Sequence, residues 1–206
     1  MQGKGGAPLN PGRRRFAMGL AGLAPLWLAG PAALAKTAWA GNLALAHGEI
    51  SPPLPLPDFM LNDSDGQRRS FHALLQRRVT AVQLIFTACS NVCPIQGATF
   101  RQVQDLLPES KRARIQLLSL SLDPLNDSPE QLRRWLARFR PKPGWRAARP
   151  ELADLDLMLA TFNQRRTDLS AHHTEVLLVD SKSRLVWRST ELPSAETIAR
   201  TLLALA

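Results

Sequence analysis

Between Val79 and Phe86 the chain reads Val-Thr-Ala-Val-Gln-Leu-Ile-Phe, and Pro94 follows closely behind. A strand that is apolar on both of its alternating faces must be covered by other elements on both sides. Pro94 suits the first turn of a helix, because its missing N–H would have no partner there in any case. Phe100, Val103, Leu106 and Leu107 continue that helix as an apolar stripe to about residue 107. This strand-to-helix passage contains the only two cysteines of the chain, Cys89 and Cys93.

The flanking segments extend the pattern. Asp58-Phe59-Met60-Leu61 is a short strand, with Asp65-Gly66 as a hairpin turn after it. Ser70 caps a short helix through Leu75, and Ile115 to Leu122 is a second buried strand. Ser128-Pro129-Glu130-Gln131 has the cap, the first-turn proline and the returning Gln of a helix start, and that helix runs to about Phe139. Residues 150–163 are expected to be helical. Val176 to Val179, the turn residues 180–183 and Arg184 to Trp187 read as a β-hairpin, and Ser194 caps a last helix to about Leu205. Alternating strands and helices closed by an antiparallel pair predict an α/β fold of thioredoxin-like layout. Its central mixed sheet would carry helices on both faces and a hairpin extension.

The N-terminal region reads as an address. Arg13-Arg14-Arg15-Phe16 precedes a moderately apolar run from Ala17 to Ala35, the pattern of a twin-arginine export signal. Small-x-small cleavage sites follow at Ala33-Leu34-Ala35 and Ala38-Trp39-Ala40. The alternative is a retained anchor, since the run is just long enough to span a bilayer, although Pro25 and Pro31 weaken it. Either way the arginines stay in the cytoplasm and the remainder is exported, to a bacterial periplasm, soluble or tethered to the inner membrane. We therefore divide the chain into an export segment, 1–35, a Pro-rich spacer, 36–57, and a folded domain, 58–206.

The formal net charge of +9 invites a nucleic-acid reading. Residues 1–35 hold four of the 26 basic residues and no acid, which leaves 22 against 17, or +5, for the rest. The remaining Arg pairs, Arg68-Arg69, Arg77-Arg78, Arg133-Arg134 and Arg165-Arg166, are scattered and lack interleaved aromatics. They read as solvated helix faces and loop ends, and no nucleic-acid partner is expected.

In an oxidising compartment, two close cysteines point first to redox or metal chemistry. At a strand-to-helix junction, free backbone N–H groups and the positive helix end favour thiolate over thiol. Three intervening residues let both sulfurs face one point, to close a disulfide or chelate an ion. The histidines are His47, in the spacer, His72, on a short surface helix, and the adjacent pair His172 and His173. In this layout the loop before the strand at Val176 lies against the cysteine turn, so one of His172 and His173 reaches the sulfurs. Two thiolates and one imidazole form a soft, three-coordinate set that suits Cu(I) and can hold Cu(II), whereas zinc would want a fourth ligand. Asp123 reads as a cap of the Pro124 turn, or else as an acidic group near the metal.

Three separated motifs carry a resemblance. Thr87-Ala88-Cys89-Ser90-Asn91-Val92-Cys93-Pro94 resembles the Cys-x-x-x-Cys-Pro segment of the SCO/SenC family. Ser121-Leu122-Asp123-Pro124 with Asp127-Ser128-Pro129-Glu130 is similar to its Val-Asp-Pro and Asp-Thr-Pro run. His173-Thr174 before Leu177-Leu178-Val179-Asp180 looks like its histidine loop. The likeness covers about residues 56–206. It differs at Ser90, where the family usually has Pro, at His172, where it usually has Asp, and in the absence of Tyr.

The resemblance implies a thioredoxin-like fold and copper ligation by Cys89, Cys93 and His173. It implies a metallochaperone rather than a turnover enzyme, which assembles the binuclear copper centre on the apo copper-bearing subunit of cytochrome c oxidase. The alternative it implies is a thiol–disulfide oxidoreductase that keeps the target's cysteines reduced. Cys89, taken as the more exposed thiolate, would attack, Cys93 would resolve, and a periplasmic thiol reductant would reset the pair. A peroxidase of the peroxiredoxin kind is disfavoured, since no Pro-x-x-x-Thr-x-x-Cys run precedes either cysteine.

Overall fold

A computed structural model describes residues 47–164 and 174–206. The export segment therefore lies outside the described residues, as do His172 and His173. The strands are β1 (Gly48–Pro55), β2 (Met60–Asp63), β3 (Arg68–Ser70), β4 (Val79–Ile85), β5 (Ile115–Ser121), β6 (Trp145–Pro150), β7 (Val176–Val179) and β8 (Arg184–Arg188). The helices are α1 (Phe71–Leu75), α2 (Val92–Leu106), α3 (Pro129–Ala137), α4 (Leu155–Thr161) and α5 (Ala195–Leu205). The strands form one sheet in the order β1-β8-β7-β4-β5-β6-β2-β3. β4, β5 and β6 run parallel, and the other pairings are antiparallel.

All seven residues of β4 and of β5 are buried, as their two-faced apolar pattern requires. Their alternation sorts side chains into two cores. On one face Val79, Ala81 and Ile85 pack with Phe100 of α2, Trp135 of α3 and Ile198 of α5. On the other, Val82 and Leu84 pack with Phe71 of α1, Met158 of α4 and Phe162. Helices thus cover both faces. Among the described residues, no helix is long and apolar enough to cross a membrane.

The local signals hold where side chains cap backbone. Ser70 Oγ accepts from Ala73 N–H at 3.2 Å, and Ser194 Oγ accepts from Thr197 N–H at 3.2 Å. Ser128 and Gln131 form the reciprocal capping box, with Pro129 in the first turn.

Two strands differ from the expectation. Residues 48–55, read as part of a spacer, form β1 on the outer edge of β8, with Ile50 and Leu56 buried. The prolines keep this segment extended but do not free it. Its register on β8 shifts between Glu49 and Leu54, where Pro52 and Pro53 have no N–H to give. The other is β6, Trp-Arg-Ala-Ala-Arg-Pro, which pairs with the open edge of β5. The helix expected over 150–163 is correspondingly shorter: a 3-10 turn at Leu152–Asp154 leads into α4.

Candidate metal centre

β4 delivers the cysteine loop at its C-terminal end, and α2 receives it. Cys89 N–H donates to Phe86 O at 3.1 Å, which turns the chain sharply after the strand. Cys93 lies in the first turn of α2, and its N–H donates to Cys89 Sγ at 3.4 Å. Both cysteines are free thiols. Cys89 was expected to be the more exposed, but the two are equally buried, at 5% and 4% exposure.

Their electrostatics differ instead. At Cys89, burial alone would raise the thiol. The N–H and thiol of Cys93, with the N–H groups of Asn91 and Val92, outweigh it and hold the group below its ordinary value. At Cys93 burial dominates and pushes the thiol up to about 12, and the Cys89 sulfur adds to the rise, only partly offset by a hydrogen bond from the Phe86 backbone. The start of α2 thus concentrates its donors on one sulfur of the pair.

The loop is anchored from below by Asp127, a residue whose role was not legible in the sequence. Its carboxylate is 1% exposed. It accepts the Thr87 N–H at 3.1 Å to each oxygen, the Thr87 hydroxyl at 2.5 Å and the Ser121 hydroxyl at 2.6 Å. One buried carboxylate therefore ties the residue two before Cys89 to the end of β5. The available signal was an acid immediately before the Ser128 cap, just past a buried strand. Asp123 does cap the Pro124 turn, accepting from the backbone and side-chain N–H of Asn126 at 3.4 and 2.8 Å.

The remaining candidates lie elsewhere. His47 is exposed, and its Nδ1 accepts from Thr190 N–H at 3.2 Å. His72 lies in α1 with Nε2 2.9 Å from Leu56 O. Among the described residues, no group of three His, Cys, Asp or Glu side chains surrounds a common point. The third ligand expected beside the cysteines, His173, is outside those residues. Its described neighbour Thr174 leads into β7, which lies antiparallel to β4 with Val176 opposite Gln83. That register carries the start of β7 to the end of the sheet where β4 releases the cysteine loop. On either side of residues 165–173, Gln164 Nε2 donates to Glu175 Oε1 at 2.5 Å, and Arg188 donates to Glu175 Oε2 at 2.8 Å.

This α/β fold recurs in known proteins. The family model described as SCO1/SenC matches residues 51–206. The chain belongs to the SCO1/SenC family. The SCO1 protein homolog of Bacillus subtilis is 30% identical over 93 residues, which span 44% of this chain and 47% of that protein. The chain thus aligns with about half the length of this curated relative. A SCO1/SenC family lipoprotein from Bacillus anthracis superposes with a TM-score of 0.63 at 23% identity, covering 76% of this chain and 98% of that one. ScoI of Bradyrhizobium japonicum, solved with copper bound, gives 0.60 at 18% identity, covering 74% and 99%. At such identities these structures establish the shared thioredoxin-like α/β fold.

As a SCO1/SenC protein, the chain puts its two sulfurs where a soft ion can be taken. They lie on either side of the start of α2, both are free thiols, and Cys89 is held toward its anionic form. Two sulfur donors at a buried, anchored loop fit a thiophilic monovalent ion better than a hard divalent one.

Proposed function

We propose that this protein is a copper-binding assembly factor that delivers copper to the binuclear copper centre of cytochrome c oxidase, holding the ion through Cys89, Cys93 and His173. The observation that carries the reading is the free cysteine pair at the loop-to-helix junction, with Cys93 N–H on Cys89 Sγ at 3.4 Å. The approach of β7 to the same end of the sheet supports His173 as the third ligand. Copper is cargo here. It leaves by ligand exchange, with groups of the recipient replacing the donor's ligands one at a time. Oxidation of the pair to a disulfide removes both sulfur ligands and closes the site. The export motif at Arg13-Arg14-Arg15-Phe16 supports work in a bacterial periplasm, with residues 1–35 cleaved or kept as a tether.

Copper uptake by the reduced protein tests this, beside Cys89→Ala, Cys93→Ala and His173→Ala. The expected result is one copper per chain and a Cu(II)–thiolate absorption band, both lost in every variant. Stoichiometric uptake by Cys89→Ala, or none by the wild type, would sink the proposal.

The unequal thiols support a second reading, reduction of the recipient's copper-site disulfide. The Cys89 thiolate attacks one target sulfur and expels the other as thiolate. Cys93, deprotonated, then displaces the target from the mixed disulfide. The target leaves as a dithiol, Cys89–Cys93 is left oxidised, and an external thiol reductant supplies the two electrons for the next round. Cys93→Ser should trap the mixed disulfide with an oxidised copper-subunit domain, and its absence would remove this reading.

A further inference from the structure

The arginine pairs that look scattered along the sequence are gathered by the fold. The end of the sheet opposite the cysteines is built from the loops before β4 and β5 and the β7–β8 turn. Val79 N–H donates to Arg114 O at 2.9 Å and so joins the first two loops. Arg77, Arg78 and Arg114 line one cavity of about 420 Å³ there, with Val79, Ala113, Ser181 and Leu205. Lys111 and Lys182 flank it on the same loops. Among the described residues none of these five cations is in an ion pair, whereas the nearby acids Asp105 and Asp180 are held by Lys142 and Arg184. Glu109 is a further acid at this end, and Gln76 and Ala206 complete the cavity lining.

The backbone presents these cations at a cost, since Gln76 and Arg77 both lie in the left-handed region, at φ 50° and 58°. Exposed apolar groups border them: Leu205 is 39% and Leu106, at the end of α2, 45% exposed. Unpaired Arg and Lys beside exposed Leu is the composition of a surface that meets a phosphate-bearing amphiphile. A free phosphate ion would have no use for Leu205 or Ala113 in the cavity wall. The cysteine end carries Asp123, Glu191, Glu196 and a Glu130 paired with Arg134, with Arg149 and Arg188 beside them, so its cations are mixed with acids.

We propose that the end formed by Arg77, Arg78, Lys111, Arg114 and Lys182 seats on an anionic phospholipid surface, with the three arginines around a headgroup phosphate. Docking this way turns the cysteine loop off the bilayer, toward a partner that projects from it.

The test footprints the full chain with phenylglyoxal on vesicles of phosphatidylcholine, with and without phosphatidylglycerol. Residues 1–46 carry cations of their own that also favour phosphatidylglycerol, so the readout is the protection of individual arginines and not vesicle binding as such. Modification of Arg77, Arg78 and Arg114 should slow roughly fivefold or more with phosphatidylglycerol, since each cation near an anionic surface contributes about that factor. High salt should restore it. In R77S/R78S/R114S, the protection of Lys111 and Lys182 from acetylation should disappear. Equal modification on both vesicles overturns the proposal. Protection as strong from inorganic pyrophosphate or polyglutamate also overturns it, in favour of a soluble anion or an acidic protein.

Discussion

Asp127 holds the cysteine loop with a carboxylate that has four hydrogen bonds and, among the described residues, no ion pair. Burial pushes its carboxyl above the ordinary value, the Ser121 and Thr87 donors pull it back in part, and Asp123 adds to the rise. The sign follows from linkage. The unfolded chain ionises first as pH rises, so stability falls through the window between the ordinary and the raised value and stays lower above it. Asp127→Asn turns an amide N–H toward the Thr87 or Ser121 donors and should cost about 1–3 kcal/mol through the groups left unpaired. The wild-type advantage should be largest in acid and narrow as pH passes the ordinary carboxyl range. Denaturant titrations of both proteins across that range check it, and a constant difference would show that Asp127 is not shifted. Because Thr87 moves with Asp127, copper uptake should also weaken in the variant while both cysteines remain.

At the scale of elements, α2 sets where Cys93 stands, and α2 is fixed by close packing on Phe139, two residues past α3. A Cβ at Gly97 would lie 2.2 Å from Phe139 Cζ. That ring cannot retreat easily, being packed against Trp135 and Trp145 at centroid distances of 4.8 and 5.8 Å. Gly97→Ala gains about 1 kcal/mol of helix propensity, but overpacking costs typically 1–3 kcal/mol. The overlap favours the second, so we expect a net loss of up to about 2 kcal/mol, measured as a lower denaturation midpoint at unchanged m-value. A stabilised variant would mean that α2 is free to slide. The capped helices were legible beforehand because Ser70, Ser128 and Ser194 satisfy backbone within their own few residues. β6 was not, because Ala and Arg are weak strand formers. It is a strand because β5 would otherwise leave a row of backbone groups unpaired.

For the whole molecule, β1 closes the sheet. It covers β8 and buries Ile50 and Leu56 at 8% and 4% exposure. A chain shortened to start at residue 58 loses both aliphatic side chains, at about 1.5–3 kcal/mol each. That is a large part of a domain stability of about 5–15 kcal/mol. It also bares β8 as an edge, an invitation to pair with another copy. We expect a markedly lower melting temperature and concentration-dependent dimers by light scattering. An unchanged, monomeric protein would mean that β1 is only a spacer after all.

What the sequence determined by itself was local or periodic. The two-faced apolar runs of β4 and β5, the serine caps, the hairpin turns and the cysteine spacing each involve residues close along the chain, so each could be read without knowing the fold. The cysteine loop was readable for the same reason. What the tertiary structure decided depends on residues far apart in sequence. Asp127 under Thr87, β1 on β8, β6 on β5 and the arginines gathered at one end are all products of strand order. The register of β7 on β4, which carries the chain after His173 toward the cysteines, belongs to the same class. Backbone pairing and burial are satisfied only when the whole sheet assembles, so no single segment carries their signal.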